Sequence, residues 1–140
     1  VCGNLGHLKQ LEVIFCRMLE SVEIQVSSLE KLVLSEIERR RGTQFCMALR
    51  IDSETCENLR ELTLCNNSTI IGLTFTGLFS RCSQVESFVL EGCIRLFQIK
   101  IASQKLRKLV MKSCYDLVVI DIEAPNLTSF IFYNRISKVR

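Results

Sequence analysis

The sequence predicts an α/β repeat fold, a horseshoe-shaped solenoid rich in strands with a few short helices. Three observations predict it. Seven apolar positions return with one spacing in three separate stretches. Where two of these copies adjoin, they lie 21 residues apart. Each copy holds two short runs in which apolar and polar residues alternate, the period of a strand with one buried face.

The positions are Val85, Phe88, Leu90, Cys93, Leu96, Ile99 and Ile101, at offsets 0, 3, 5, 8, 11, 14 and 16. Leu106, Leu109, Met111, Cys114, Leu117, Ile120 and Ile122 repeat them, as do Leu8, Leu11, Val13, Cys16, Leu19, Val22 and Ile24. Other stretches match in part. Leu29, Leu32, Leu34 and Ile37 open a copy that the charged 38–44 segment lengthens, and Leu49 and Ile51 close it. Leu59, Leu62, Leu64, Asn67, Ile70, Leu73 and Phe75 form a copy with an added tail over 76–84. Leu127, Phe130 and Phe132 begin the last. Repeats thus start near 8, 29, 59, 85, 106 and 127, giving about five full repeats and a partial sixth. Residues 1–140 read as a single domain, and the unfinished sixth repeat is expected of a fragment of a longer protein.

The L-x-x-L-x-L-x-x-C/N pattern is that of leucine-rich repeats. Its L-x-L pair puts two side chains on one face of a strand, and one such strand cannot bury that face alone. Stacked copies pair as a parallel sheet over a shared core. Offsets 3 and 5 are therefore expected inside: Leu11 and Val13, Leu32 and Leu34, Leu62 and Leu64, Phe88 and Leu90, Leu109 and Met111, Phe130 and Phe132. The later runs Val22-Glu23-Ile24, Ile99-Lys100-Ile101 and Ile120-Asp121-Ile122 predict a second short strand in each tight repeat. In the longer repeats, Gly77–Cys82 and the residues before Leu59 are expected to be helical, the latter capped by Asp52 or Ser53.

Three of the eight cysteines, Cys16, Cys93 and Cys114, occupy offset 8, where the chain turns away from the sheet. A small, buried thiol with a weak donor suits that place in part. All eight cysteines are expected to be reduced, which favours the cytoplasm or nucleus. Cys65 faces outward with no basic neighbour in its strand, and is expected to be inert. No C-x-x-C pair occurs, and the only histidine is His7, so no metal site is expected.

Net charge is +3, from eighteen basic and fifteen acidic residues, which does not point to nucleic acid. Arg39, Arg40 and Arg41 lie beside Glu36 and Glu38 and read as a solvated loop. The longest uncharged run, Leu62 to Ser80, holds Asn66, Asn67, Ser68 and several threonines and is too polar for a membrane span. The chain has no G-x-S-x-G, no glycine-rich phosphate loop and no H-E-x-x-H, so it is not expected to be an enzyme or to hold a cofactor. The triplets starting at Asn66, Asn67 and Asn126 fit a glycosylation acceptor and are read as chance matches.

The segments LFSRCSQVESFVLEGC and LRKLVMKSCYDLVVIDIEAPNLTSFIFYN resemble the repeat region of plant F-box/leucine-rich-repeat (RNI-like) proteins. Ala124-Pro125-Asn126-Leu127, followed by Phe130 and Tyr133, is the most specific part, and the likeness runs from about Leu59 to Tyr133. The resemblance implies the target-recognition repeats of a ubiquitin-ligase adaptor, whose F-box would dock to the rest of the ligase. No F-box segment precedes the first repeat here. An alternative is the repeat region of an intracellular plant nucleotide-binding immune receptor, whose repeats also read L-x-x-L-x-V-x-x-C.

Either reading makes the chain a protein-binding module, with the binding surface on the concave face of the sheet. Offsets 2, 4 and 6 point there, opposite the core. Candidate contact residues are Val33, Val89, Val110 and Ile131 from the offset-4 column, with Glu91, Lys108, Lys112 and Tyr133 beside them. An exposed apolar stripe rimmed by charge suits a protein partner. Tyr133 is the expected anchor.

Overall fold

The computed structural model describes residues 5–16, 21–37, 48–65, 72–93 and 96–134. Strands β1 (Gln10–Cys16), β3 (Lys31–Ile37), β5 (Glu61–Cys65), β6 (Ser87–Glu91), β8 (Lys108–Lys112) and β10 (Ser129–Tyr133) pair in that order as one sheet. Every pairing is parallel. The register aligns equal repeat offsets. Leu11, Leu32, Leu62, Phe88, Leu109 and Phe130 form one ladder across the sheet. Val13, Leu34, Leu64, Leu90, Met111 and Phe132 form the next.

Short elements cover the other side of the core. β2 (Ser21–Ile24) pairs with β4 (Ala48–Ile51), and β7 (Gln98–Ala102) with β9 (Val119–Glu123). These are the expected second strands, together with the closing pair of Leu49 and Ile51. Helix α1 (Ser53–Asn58) precedes Leu59 and is capped by Asp52, whose Oδ1 accepts from Thr55 N at 3.0 Å. Helix α2 (Gly72–Arg81) stands beside β7, and the Arg81 guanidinium donates to the Ile51 carbonyl at the end of β4. Leu73 and Phe75 lie within α2, although their spacing continues the strand pattern. The added residues of this repeat give the chain length for a helix where tight repeats have only a strand. Among the described residues, no helix is long and apolar enough to cross a membrane.

Between the two sides lies one apolar core. Leu32, Leu34, Phe88, Leu90, Leu109 and Met111 meet Ile24, Ile51, Ile99 and Ile101 there, all fully or almost fully buried. Two expected core residues depart from this. Phe130 is 46% exposed and Phe132 44%. Burial of a ladder side chain needs a strand on both sides, and β10 is the last strand of the sheet.

Backbone groups between repeats are satisfied by a recurring device. Asn58 Nδ2 donates to the Ser27 carbonyl at 2.6 Å, and Asn126 Nδ2 to the Gln104 carbonyl at 2.7 Å. Both asparagines stand one residue before a repeat start and reach the same offset of the preceding repeat. Asn126, one of the possible glycosylation acceptors, thus has its amide engaged in the stack. The triplets at Asn66 and Asn67 lie outside the described residues.

Cys93 and Cys114 are buried and keep their thiols outside any disulfide, as expected. The Cys114 thiol donates to the Lys112 carbonyl at 3.4 Å. Asn134 brackets the Cys114 peptide, its Oδ1 accepting from Cys114 N and its Nδ2 donating to Cys114 O, both at 2.9 Å. The turn is therefore held chiefly by an asparagine of the following repeat. A side-chain hydrogen bond with Cys93 lowers the Cys114 thiol to about 7, against the opposing effect of burial. The side chain of Cys16 lies outside the described residues.

The expectation of eight free thiols is corrected. Cys56 on α1 and Cys82, just after α2, form a disulfide with their Cα atoms 4.4 Å apart. Each stands three residues before a repeat start, Leu59 and Val85, so the stacking of the repeats makes them neighbours. Disulfides persist in oxidising compartments, so the cysteines no longer favour the cytoplasm or nucleus. Peptide mapping after alkylation without reductant is expected to recover Cys56 and Cys82 as one linked pair, with Cys93 and Cys114 alkylated after unfolding. Separate alkylation of Cys56 and Cys82 would show that the bond does not form.

Candidate protein-binding face

The outward face of the large sheet carries the even offsets, because strand side chains alternate between faces. The register sets them in three rows. Gln10, Lys31, Glu61, Ser87, Lys108 and Ser129 form the first. Glu12, Val33, Thr63, Val89, Val110 and Ile131 form the second. The third is Ile14, Ser35, Cys65, Glu91, Lys112 and Tyr133.

The candidate residues fall into two groups. Val89, Val110 and Ile131 are direct neighbours on β6, β8 and β10, and Glu91, Lys112 and Tyr133 are neighbours one row along. Lys108 borders this patch between Ser87 and Ser129. Val33 stands apart, separated from Val89 by Thr63 on β5. The rim charges Glu91, Lys108 and Lys112 are exposed, Ile131 is 45% exposed and Tyr133 55%.

Val110 corrects the expectation of a solvent-facing column, being only 5% exposed although it lies opposite the main core. Val89 on one side and Ile131 on the other cover it, whereas Ile131 has a described neighbour on one side only. Val33, Thr63 and Val89 are half-buried. Val89, Ile131 and Tyr133 therefore present the accessible apolar area of this patch, with Val110 as the floor beneath them.

Cys65 is half-buried in the third row. Burial pushes its thiol up, a hydrogen bond with Ser35 opposes this, and Glu91 and Glu12 push it further up. A thiol held in its neutral form is a poor nucleophile.

Sequence reasoning missed two features of the surface. Charges alternate at the strand entrances, Lys9, Glu30, Arg60, Glu86 and Arg107 in successive repeats. Lys9 meets Glu30 at 3.3 Å and Lys31 meets Glu61 at 3.7 Å, both exposed pairs of small energetic worth. The sign alternation was readable once the repeats had been aligned. The second feature is a small apolar ridge away from the sheet. Exposed Phe97, Val118 and Val119 lie side by side there, with the Val118 and Val119 N–H groups donating to the Phe97 carbonyl.

Residues 41–139 match the sequence model of the family described as At1g61320/AtMIF1, LRR domain. The chain belongs to this family. It is a plant leucine-rich-repeat protein, and such repeats supply extended surfaces for protein–protein interaction. No curated protein matches the chain, and no solved structure does. The match begins before β4 and takes in β5, β6, β8 and β10, so it includes the whole Val89–Tyr133 patch. Strands β1 to β3 lie before the matched segment, yet β1 and β3 keep the leucine-rich-repeat register.

Proposed function

We propose that the chain recognises a protein target through the outward face of its large sheet, taken as the concave side of a horseshoe solenoid, and performs no catalysis. The in-register patch of Val89, Ile131 and Tyr133, rimmed by Glu91, Lys108 and Lys112, carries this reading. It pairs apolar area with charge at its edge, as a protein interface requires and a nucleic-acid or membrane surface does not. The finer reading is that these are the substrate-recognition repeats of an F-box ubiquitin-ligase adaptor, acting in the cytoplasm or nucleus. Its support is the resemblance between Leu59 and Tyr133, above all the Ala124–Leu127 junction. The run Leu8, Leu11, Val13 and Cys16, reading L-x-x-L-x-V-x-x-C, favours a second reading as the repeats of a nucleotide-binding immune receptor.

The sequence encoded upstream of Val1 separates the two. An F-box there supports the adaptor, a nucleotide-binding module with a phosphate loop supports the receptor, and neither leaves only the recognition role. The face itself is tested with a partner captured by the full-length protein. Changing Val89 and Tyr133 to Ser is expected to weaken capture about tenfold or more, as hot-spot truncation does. Val110 is left intact because it is buried. Capture that survives these changes, but is lost on changing Glu23 or Lys100 on the opposite side, would overturn the assignment.

A further inference from the structure

We infer that Cys93 and Cys114 are a redox pair, which a hydroperoxide closes into a second disulfide while bulkier thiol reagents are kept out. Their placement carries this. Both hold the same offset in consecutive repeats, two residues beyond the register pair of Glu91 and Lys112. Each follows a residue in the left-handed region, Gly92 at φ 68° and Ser113 at φ 55°, so the chain leaves β6 and β8 by the same turn. Gly92 N donates to the Lys112 carbonyl at 2.9 Å, which holds the two strands together up to that turn. Neighbouring strands stand about 4.8 Å apart, within the span of about 4.4–6.8 Å between Cα atoms that a disulfide bridges. Cys56 and Cys82 already show one step of the stack bringing two cysteines within bonding reach.

The sulfurs face each other. The Cys114 thiol reaches back toward β6, 4.0 Å from the Leu90 carbonyl, and shares a side-chain hydrogen bond with Cys93. That bond favours the thiolate of Cys114, the form that attacks an oxidant. Both residues are fully buried, which bars a large reagent but admits a hydroperoxide little bigger than water. The Cys114 thiolate attacks one peroxide oxygen and the O–O bond breaks. Hydroxide leaves, takes up the proton that Cys114 lost, and Cys114 becomes a sulfenic acid. Cys93 sulfur then attacks Cys114 sulfur, and the S–O bond breaks as the hydroxyl departs with the Cys93 proton as water. Two thiols are oxidised by two electrons, and one peroxide is reduced to two waters. The new bond ties the turn after β6 to the turn after β8.

Hydrogen peroxide added to the folded 140-residue chain at neutral pH, followed by quenching and alkylation in denaturant, reads this directly. Trypsin with a glutamate-specific protease, cutting at Glu86 and Glu91, separates Cys82 from Cys93 for peptide mapping. A peptide pair linked through Cys93 and Cys114 is expected to appear about tenfold faster than any oxidation of Cys65, whose thiol stays protonated. A bulky maleimide applied to the folded chain is expected to leave both thiols unlabelled. Dimedone, which traps sulfenic acid, then assigns the roles. In Cys93→Ser with peroxide it is expected to label Cys114, and in Cys114→Ser to leave Cys93 unlabelled. Circular dichroism monitors folding, and Cys93→Ala and Cys114→Ala replace any serine variant that unfolds. The wild-type mapping needs no substitution at all. A folded wild-type chain in which Cys93 and Cys114 stay unlinked under peroxide overturns the inference. So does maleimide labelling of either thiol in the folded chain, or dimedone labelling of Cys93 in Cys114→Ser equal to that of Cys114 in Cys93→Ser.

Discussion

Phe88→Ala is expected to lower stability by about 3–5 kcal/mol and Leu109→Ala by about 2–5 kcal/mol. Both side chains are fully buried in the first core ladder, Phe88 between Leu62 and Leu109. Phe88 also meets Phe79 of α2 edge-on, with ring centroids 5.0 Å apart. Its loss thus opens a void between the sheet and the opposite layer. Phe130 occupies the same ladder, but at 46% exposure it has much less to lose, and Phe130→Ala should cost under about 2 kcal/mol. The three variants form a series in which residue type changes little and the number of flanking strands changes most. Urea unfolding at a dilute, fixed concentration reads it as a falling midpoint at constant slope. Equal costs for Phe88→Ala and Phe130→Ala would mean that flanking strands do not decide burial. A cost under about 1 kcal/mol for Leu109→Ala would remove the ladder as the core.

The same contrast separates what was legible in the sequence from what was not. The strand ladders were legible because a period-two pattern at equal offsets determines both the buried face and the register. Burial at the edge was not, since the sequence of β10 is as apolar as that of β6 and only its neighbours differ. Val110 shows the converse. Its alternation assigns it to the outward face, where it lies, but Val89 and Ile131 on either side cover it. The register therefore sets Val89, Val110 and Ile131 side by side, leaves Val33 apart across Thr63, and buries Val110. Cys56 and Cys82 were hidden by their setting within one short helix and just beyond another, in repeats of unequal length. Their shared offset of three residues before a repeat start was the available signal. Leu73 and Phe75 matched the strand spacing yet fall in α2, because spacing alone does not register the added chain length that admits a helix.

Thr55 was invisible to periodicity and joins two repeats through one buried hydrogen bond. Its Oγ1 accepts from Val26 N at 2.8 Å, across 29 residues of sequence. Both residues are buried, Thr55 completely. The Asp52 cap holds Thr55 in the first turn of α1, which aims the hydroxyl at the turn before Leu29. Thr55→Val keeps the volume and removes the acceptor, leaving a buried N–H with no protein partner in place of the hydroxyl. That loss is expected to cost about 1–3 kcal/mol. Thr55→Ser keeps the acceptor and gives up one methyl group, a loss of about 0.8 kcal/mol. The valine variant should therefore be the less stable, although it is the more apolar in an apolar setting. Hydrogen exchange locates the cause: the Val26 amide should lose protection in Thr55→Val and retain it in Thr55→Ser. If the two variants unfold at the same midpoint and the Val26 amide is equally protected in both, the hydroxyl contributes no net stability and packing alone seats α1 against the preceding repeat.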